Sequence, residues 1–264
     1  MYDFFKTILS DDFGGPEITL FSIWHILYIV VIVGLTIAAA FILRNKSERT
    51  KKIVVNTLLI AVLVAQFLDL FAMPFSDGYI NIDKLPFHIC TSISIIAGFA
   101  YFNQHFAWLK TPAIVLSIVA PLMYITYPGS ALGGVAAFCY RVVQTFFFHG
   151  ALFAFGVLAI ATKQVSIDIK KIWKELLLII GIACWAGLGN AIYCSPAHHY
   201  DWFFLTGSTF PFVPTWLMPF VVVICVYAMV AIIYGIVYLV RWIDSKIKSK
   251  QQQLWCKQTE LKIN

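Results

Sequence analysis

Charged side chains are scarce in this sequence of 264 residues. They make up 12% of the chain, whereas hydrophobic residues make up 61%, and the mean hydropathy is +0.84. A typical soluble domain carries about 25% charged and roughly 45–50% apolar residues. Because a water-soluble fold could not enclose so much apolar surface, the composition predicts an integral membrane protein of the all-α class.

Several functional signatures are also absent. The sequence has no Walker loop, no GxGxxG or GxSxG motif, no HExxH or HxxxH spacing, and no CxxC pair among its six cysteines. No cofactor is therefore predicted. The net charge of +6 comes from basic residues beside apolar runs, so we expect membrane lipids as partners rather than nucleic acid. Nothing in the sequence indicates a protein partner.

Seven apolar runs approach or exceed the length that crosses a bilayer, which is about 20 residues. They lie at about 20–43, 53–73, 86–104, 108–126, 141–161, 173–194 and 212–240. We predict a seven-transmembrane helix bundle over 20–240, after an extracellular segment at 1–19 and before a basic cytoplasmic tail at 241–264. Pro211, Pro214 and Pro219 predict an irregular entry into the last span.

The distribution of lysine and arginine predicts the orientation. Of the 19 basic residues, all but Lys6, Lys84 and Arg141 fall in segments that share one side of the predicted bundle. Loops rich in basic residues stay in the cytoplasm. The pattern therefore predicts an N-terminus outside and a C-terminus in the cytoplasm.

Polar residues within the spans concentrate near the predicted outer ends, whereas the inner halves are nearly bare. The residues are His25, Gln66, Asp69, His88, Arg141, Gln144 and Asn190. Since ionisable groups inside a membrane usually face a cavity or a partner, we predict that these residues line a polar cavity open to the outer side. Asp69 and Arg141 could form an ion pair in its wall.

Cys90 and His149 form the sharpest pair in this set. Cys90 follows Pro86 closely, and proline is favoured at the first turn of a helix. The positive helix end favours a thiolate, and a nearby histidine could accept the thiol proton. Such a pair is the minimal nucleophile for acyl transfer. Packing roles for the cysteine and for the histidine are the plain alternative.

Two further possibilities stay open at this point. His88, His149, His198 and His199, with Asp69 or Asp201, carry enough donor atoms for a zinc site, although their spacing matches no zinc motif and no metal is predicted. Cys139 and Cys194 fall near predicted outer ends and could pair in an oxidising space.

Four segments together resemble the YwaF-like family of bacterial integral membrane proteins. They are KLPFHIC at 84–90, FFFHG at 146–150, Gly189-Asn190 with Tyr193, and PTWLMP at 214–219. This family is similar to eukaryotic transmembrane acyltransferases that remodel phospholipids. The resemblance implies a multi-pass protein of the bacterial plasma membrane.

The resemblance also implies an activity. It implies an acyltransferase or transacylase acting on a lipid from the outer leaflet, with Cys90 as nucleophile and His149 as base. His88, Gln144 or Arg141 would stabilise the oxyanion or hold a phosphate. Two other functions remain: non-enzymatic binding or transport of a lipid or small solute, and zinc-dependent hydrolysis.

Overall fold

The computed structural model describes residues 15–77, 82–128, 134–193, 200–205 and 213–263, without the side chains of 69, 72–77, 83 and 253–263. Seven α-helices make up most of this part of the chain. In chain order they are α1 Ile23–Arg44, α2 Glu48–Asp77, α3 Ile89–Phe102, α4 Lys110–Thr126, α5 Tyr140–Ala161, α6 Trp173–Tyr193 and α7 Met218–Ile263. No strand occurs within these ranges, where a single bridge joins Glu17 to Ala136. The predicted all-helical class is confirmed.

Six of these helical segments are long and apolar enough to cross a membrane. Many of their large apolar side chains point outward, such as Leu35, Phe41 and Ile224, as expected of surfaces that face lipid. α3 is shorter than its apolar run, with 14 residues, or about 21 Å at a rise of about 1.5 Å per residue. The protein is a multi-span membrane protein, and the count of seven spans stays a prediction.

The ends of α3 explain its length. Before it the backbone is extended at His88, because Pro86 and its neighbours form turns instead of a first helical turn. After it Asn103 is extended, and its side chain accepts a hydrogen bond from the His105 N–H at the start of a 3-10 helix, Gln104–Leu109. The predicted limits of 86–104 therefore overstate this helix at both ends.

The last helix begins as the prolines predict and ends later than expected. Pro214 precedes a short 3-10 helix, Thr215–Leu217, and Pro219 lies in the first turn of α7, where its missing N–H leaves no hydrogen bond unmade. α7 then continues for 46 residues. The basic tail is therefore a continuation of the last predicted span as one helix.

Four helices enclose the centre of the molecule. α2 and α4 each pack against both α3 and α5, whereas α3 and α5 make few contacts with each other and so lie at opposite corners. α4 and α5 approach closely at Gly156, where a Cβ atom would lie 2.6 Å from Ile118. α1 packs on α5, and α6 and α7 pack on α4.

The helices leave two ends to the bundle. We call the end that holds the N-termini of α1, α3 and α5 the histidine end, because His25, His88 and His149 belong to its half. The opposite end holds the starts of α2, α4 and α6 and is called the lysine-rich end, since Lys51, Lys110, Lys174 and their basic neighbours are there.

Candidate functional site

Cys90 lies in the first turn of α3, as the second residue of the helix. Its side chain is buried, with 5% exposed, and belongs to the main apolar core. His88 is the residue that precedes the helix, and its carbonyl accepts hydrogen bonds from the Ser92 N–H at 2.9 Å and the Thr91 hydroxyl at 2.8 Å. The thiol is therefore at the positive end of a well-formed helix.

The segment that leads into α3 is pinned by aromatic side chains. Phe87 stacks on Trp185 of α6 at 4.9 Å and on Trp202 at 4.7 Å between ring centroids. The Trp185 indole N–H donates to the Pro86 carbonyl at 2.8 Å. Gly189 admits the Phe87 ring, because a Cβ atom there would lie 2.5 Å from it. These contacts fix the position from which the Cys90 helix starts.

Asn190 holds the next layer of this aromatic cluster. Its side chain donates to the Trp202 carbonyl at 3.1 Å and accepts from the Trp202 N–H at 3.0 Å, and it is 4% exposed. Trp202 in turn stacks on Tyr200 at 4.9 Å. A cavity-lining role was predicted for Asn190. In the structure, its side chain instead makes two hydrogen bonds to the Trp202 backbone, which clamp α6 to the 200–205 segment.

His149 is fixed on α5 with one ring nitrogen engaged. Its Nδ1–H donates to the Thr145 carbonyl at 2.8 Å, and its ring stacks on Tyr124 of α4 at 3.8 Å with an interplanar angle of 8°. Since the Nδ1 position carries the proton, Nε2 holds the lone pair in the neutral ring. Within the described residues Nε2 has no hydrogen-bond partner. The His149 side chain is buried, with 9% exposed, although Nε2 is not completely enclosed.

Two glutamines tie α5 and the segment before α3 to α2. The Gln66 amide of α2 donates to the Lys84 carbonyl at 3.1 Å, and the Gln144 amide of α5 donates to the Ala65 carbonyl at 3.3 Å. Lys84 and Gln144 are thus tied to adjacent residues of α2. Cys90 and His149 follow these ties by six and five residues.

Cys90 and His149 share an interior but no hydrogen bond. Among the described residues none joins the thiol to the imidazole, as expected for two helices at opposite corners of a four-helix arrangement. His88 and Lys84 lie within electrostatic range of His149. Cys90, His88, His149 and Lys84 therefore all belong to the half of the bundle at the histidine end.

His25 has a different environment from the other two histidines. It is fully buried; its Nδ1 accepts from the Phe21 N–H at 3.0 Å and its Nε2 donates to the Ile125 carbonyl at 2.9 Å. Both ring nitrogens are thus bound to backbone, and His25 ties α1 to the end of α4. It offers no free nitrogen to a ligand.

Other predicted groups lie partly outside the described residues. The side chain of Asp69 and all of Cys194, His198 and His199 are outside them, so the ion pair with Arg141 and the zinc site stay predictions. The predicted pairing of Cys139 with Cys194 is not formed, because Cys139 carries no disulfide. Cys139 is a free, buried thiol at the start of α5. Within the described residues no three histidine, cysteine or acidic side chains are grouped to hold a metal ion.

Sequence reasoning did not single out the residues that orient the pair. Tyr124, Thr145, Phe87, Trp185 and Trp202 carry these contacts. One signal was available: Thr145 precedes His149 by four residues, the spacing at which a helical side chain reaches a backbone carbonyl. The others are contacts between helices, which one sequence does not reveal.

A family model matches residues 20–240, which is most of the chain and nearly all of its helices. The chain belongs to the TMEM164 family. No curated protein and no solved structure matches it. Membership in the TMEM164 family, a family of transmembrane proteins, agrees with the six helices that are long enough to span a membrane. The bacterial origin and the YwaF-like subgroup remain predictions.

Proposed function

We propose that this TMEM164-family protein is a membrane-embedded acyltransferase or transacylase that acts on a phospholipid through Cys90 and His149. The main support is a single arrangement. A thiol at the positive end of α3 and an imidazole whose Nε2 has no partner among the described residues lie in the same half of the bundle, on two helices that both pack against α2 and α4. These are the two groups that thiol-based acyl transfer requires.

The reaction proceeds in two halves. His149 Nε2 takes the Cys90 proton, and the thiolate attacks the ester carbonyl of a donor lipid. A C–S bond forms, the ester C–O bond breaks, and the imidazolium returns its proton to the departing alcohol oxygen. An acceptor hydroxyl then loses its proton to Nε2 and attacks the thioester, which restores the Cys90 thiol when that proton passes to sulfur.

Nearby polar groups have assigned roles in this proposal. His88, Gln144 and Arg141 stabilise the oxyanion or hold the lipid phosphate. Thr145 keeps the His149 proton on Nδ1, because its carbonyl accepts that N–H at 2.8 Å. Since no hydrogen bond joins Cys90 to His149 here, the proton transfer needs a closer approach of the two side chains or a bridging hydroxyl, as often occurs when substrate binds.

The distribution of basic residues indicates on which side of the membrane Cys90 lies. The histidine end carries few basic residues and the lysine-rich end carries many, which supports an outer-leaflet position for Cys90. The plasma-membrane location stays a prediction from the family resemblance. Substrate would then enter from the outer leaflet.

Reactivity of the Cys90 thiol tests the proposal. A lipid-like chloroacetamide probe would be applied to native membranes containing a protein with Cys184→Ser and Cys225→Ser, since both of those thiols are exposed. We expect selective labelling of Cys90 that falls strongly with His149→Ala. Labelling that is absent, or that ignores His149, would reject an activated thiolate.

One observation favours a second function, non-enzymatic binding of a lipid or small solute. Cys90 is 5% exposed and packs within the apolar core, as a structural cysteine does. In that case the polar groups of the histidine end hold a ligand without chemistry. Saturable binding of a phospholipid that persists in Cys90→Ala would support this function over the first.

A further inference from the structure

One carboxyl group is buried at the lysine-rich end, away from the proposed catalytic pair. Glu175 lies in the first turn of α6, and Tyr234 lies on α7. Both residues are 1% exposed, and the Tyr234 hydroxyl donates to Glu175 Oε1 at 2.6 Å. This contact is a side-chain link between the two helices at this end of the bundle.

The second carboxyl oxygen has no partner. Glu175 Oε2 is enclosed and makes no hydrogen bond to any residue that the structure describes, although the backbone N–H of Glu175 lies near the carboxyl group. Because the atom is sealed by the surrounding protein, neither a metal ion nor an organic cation has room beside it. A proton, which bonds directly to the oxygen, is the ligand that fits.

The charged and neutral forms of Glu175 differ in the free energy of burial. A buried carboxylate with one unpaired oxygen carries a large penalty for leaving water, which the single hydrogen bond from Tyr234 offsets only in part. A neutral carboxyl leaves one hydroxyl unpaired, which costs much less, and its carbonyl oxygen still accepts the Tyr234 hydroxyl. The start of α6 favours negative charge, but only as a partial charge at the helix end.

The charged and titratable neighbours do not neutralise a carboxylate through direct contact. Lys174 is the adjacent residue on α6 and acts on Glu175 only at a distance. Tyr238 of α7 and Asp168 of the preceding segment lie near Tyr234. α4 also packs against α6 and α7 and carries Lys110 at this end, where its ammonium lies over the Tyr101 ring at 3.9 Å.

We propose that Glu175 is a proton-binding site that is neutral while α6 and α7 are packed together. Releasing the proton to water leaves a carboxylate whose second oxygen must find a donor. Proton release is therefore coupled to separation of α6 and α7 at the lysine-rich end. This site is independent of Cys90 and His149, so it stands whether or not the acyl-transfer proposal does.

Infrared spectroscopy of the full-length protein in lipid nanodiscs tests the site. A protonated carboxyl absorbs in a carbonyl region where a carboxylate does not. We expect Glu175→Gln to remove a band equivalent to one carboxyl per chain at neutral pH. The matched control is Glu48→Gln, which changes an exposed acid paired with Lys51 and should leave that region unchanged.

A second variant covers the case in which Glu175→Gln does not fold. Tyr234→Phe removes only the hydroxyl that donates to Oε1, so the carbonyl band of Glu175 should shift to higher frequency and keep its area. A shift confined to the carboxylate bands, or a carbonyl region identical in wild type and Glu175→Gln, would overturn the proposal.

Discussion

The two ends of the bundle treat their polar groups differently. At the histidine end, His25, Gln66, Gln144 and Asn190 bind backbone atoms of neighbouring segments, and the unpartnered His149 Nε2 is not sealed. In the lysine-rich half, the sealed and unpartnered side-chain atoms of the described residues are Asn56 Oδ1, Tyr101 OH and Glu175 Oε2. At the histidine end, the unpartnered atom is therefore His149 Nε2, which is not completely enclosed. In the lysine-rich half, the unpartnered atoms are completely enclosed by protein.

This contrast bears on where external chemistry can occur. A reachable, oriented group can meet a lipid, whereas an enclosed group can respond only to a proton or to a movement of the helices around it. The number of polar residues alone would not separate these cases. What separates them is whether each unpartnered atom remains open to a ligand.

Removal of the proposed catalytic groups should produce the largest effect. We expect Cys90→Ser and His149→Ala each to lower lipid acyl exchange by at least about 100-fold, the lower range for loss of a general base, because each removes one half of the thiol activation. Exchange of labelled acyl chains between phospholipids in proteoliposomes measures this.

Cys184→Ser is the control for that measurement, since Cys184 is an exposed thiol and its loss should leave exchange unchanged. Full activity in folded Cys90→Ser or His149→Ala protein would remove the acyl-transfer proposal and leave the binding function in its place.

A methyl group at Gly189 should cause the next largest effect. The added Cβ of Gly189→Ala would lie 2.5 Å from the Phe87 ring, so Phe87 must move and the start of α3 with it. We expect a loss of about 1–3 kcal/mol in the free energy of unfolding, as for other overpacked interiors. Denaturant unfolding in detergent micelles measures it.

Gly181→Ala is a matched control on the same helix. Nothing lies within 4 Å of a Cβ atom at Gly181, so this change should be neutral or raise stability by up to about 1 kcal/mol through helix propensity. Equal effects of the two substitutions would show that Phe87 is not held against α6.

The helices were predictable because each apolar run is long and carries few charges. Each of the seven predicted runs overlaps one α-helix of the structure. The start of α3 was not predictable from the sequence. Contacts with Trp185 and Trp202 hold His88 and the preceding residues in a non-helical conformation. A hydropathy profile contains no information about contacts between residues about 100 or more positions apart.

The candidate site was predictable in its residue types but not in its geometry. The positions of Cys90 and His149 near one end follow from the order of the runs, whereas the orientation of the imidazole depends on Tyr124 and Thr145. Glu175 was not singled out, since an acid at a helix start is ordinary in an interfacial position. Its burial depends on how α6 and α7 pack.

Loss of the Asn190 clamp should have a smaller effect than the loss of activity at Cys90. Asn190→Ala removes both hydrogen bonds between the Asn190 side chain and the Trp202 backbone. We expect about 1–3 kcal/mol of destabilisation, with a rise in amide hydrogen exchange at residues 201–205. The control Asn45→Ala changes an exposed asparagine at the end of α1 and should change neither the stability nor the hydrogen exchange. Unchanged exchange in Asn190→Ala would contradict the clamp.

The smallest effect should come from the tie between α5 and α2. Gln144→Met keeps the length of the side chain and removes the donor to the Ala65 carbonyl, a half-buried bond of 3.3 Å. We expect a loss of about 0.5–1.5 kcal/mol in unfolding free energy and a modest fall in Cys90 labelling, because α5, which carries His149, is no longer tied to α2 at this point. The comparable change Gln66→Met should cost more, since Gln66 is 8% exposed and its bond is shorter, at 3.1 Å. If both variants kept wild-type labelling while losing stability, the glutamines would support the bundle without positioning the catalytic pair.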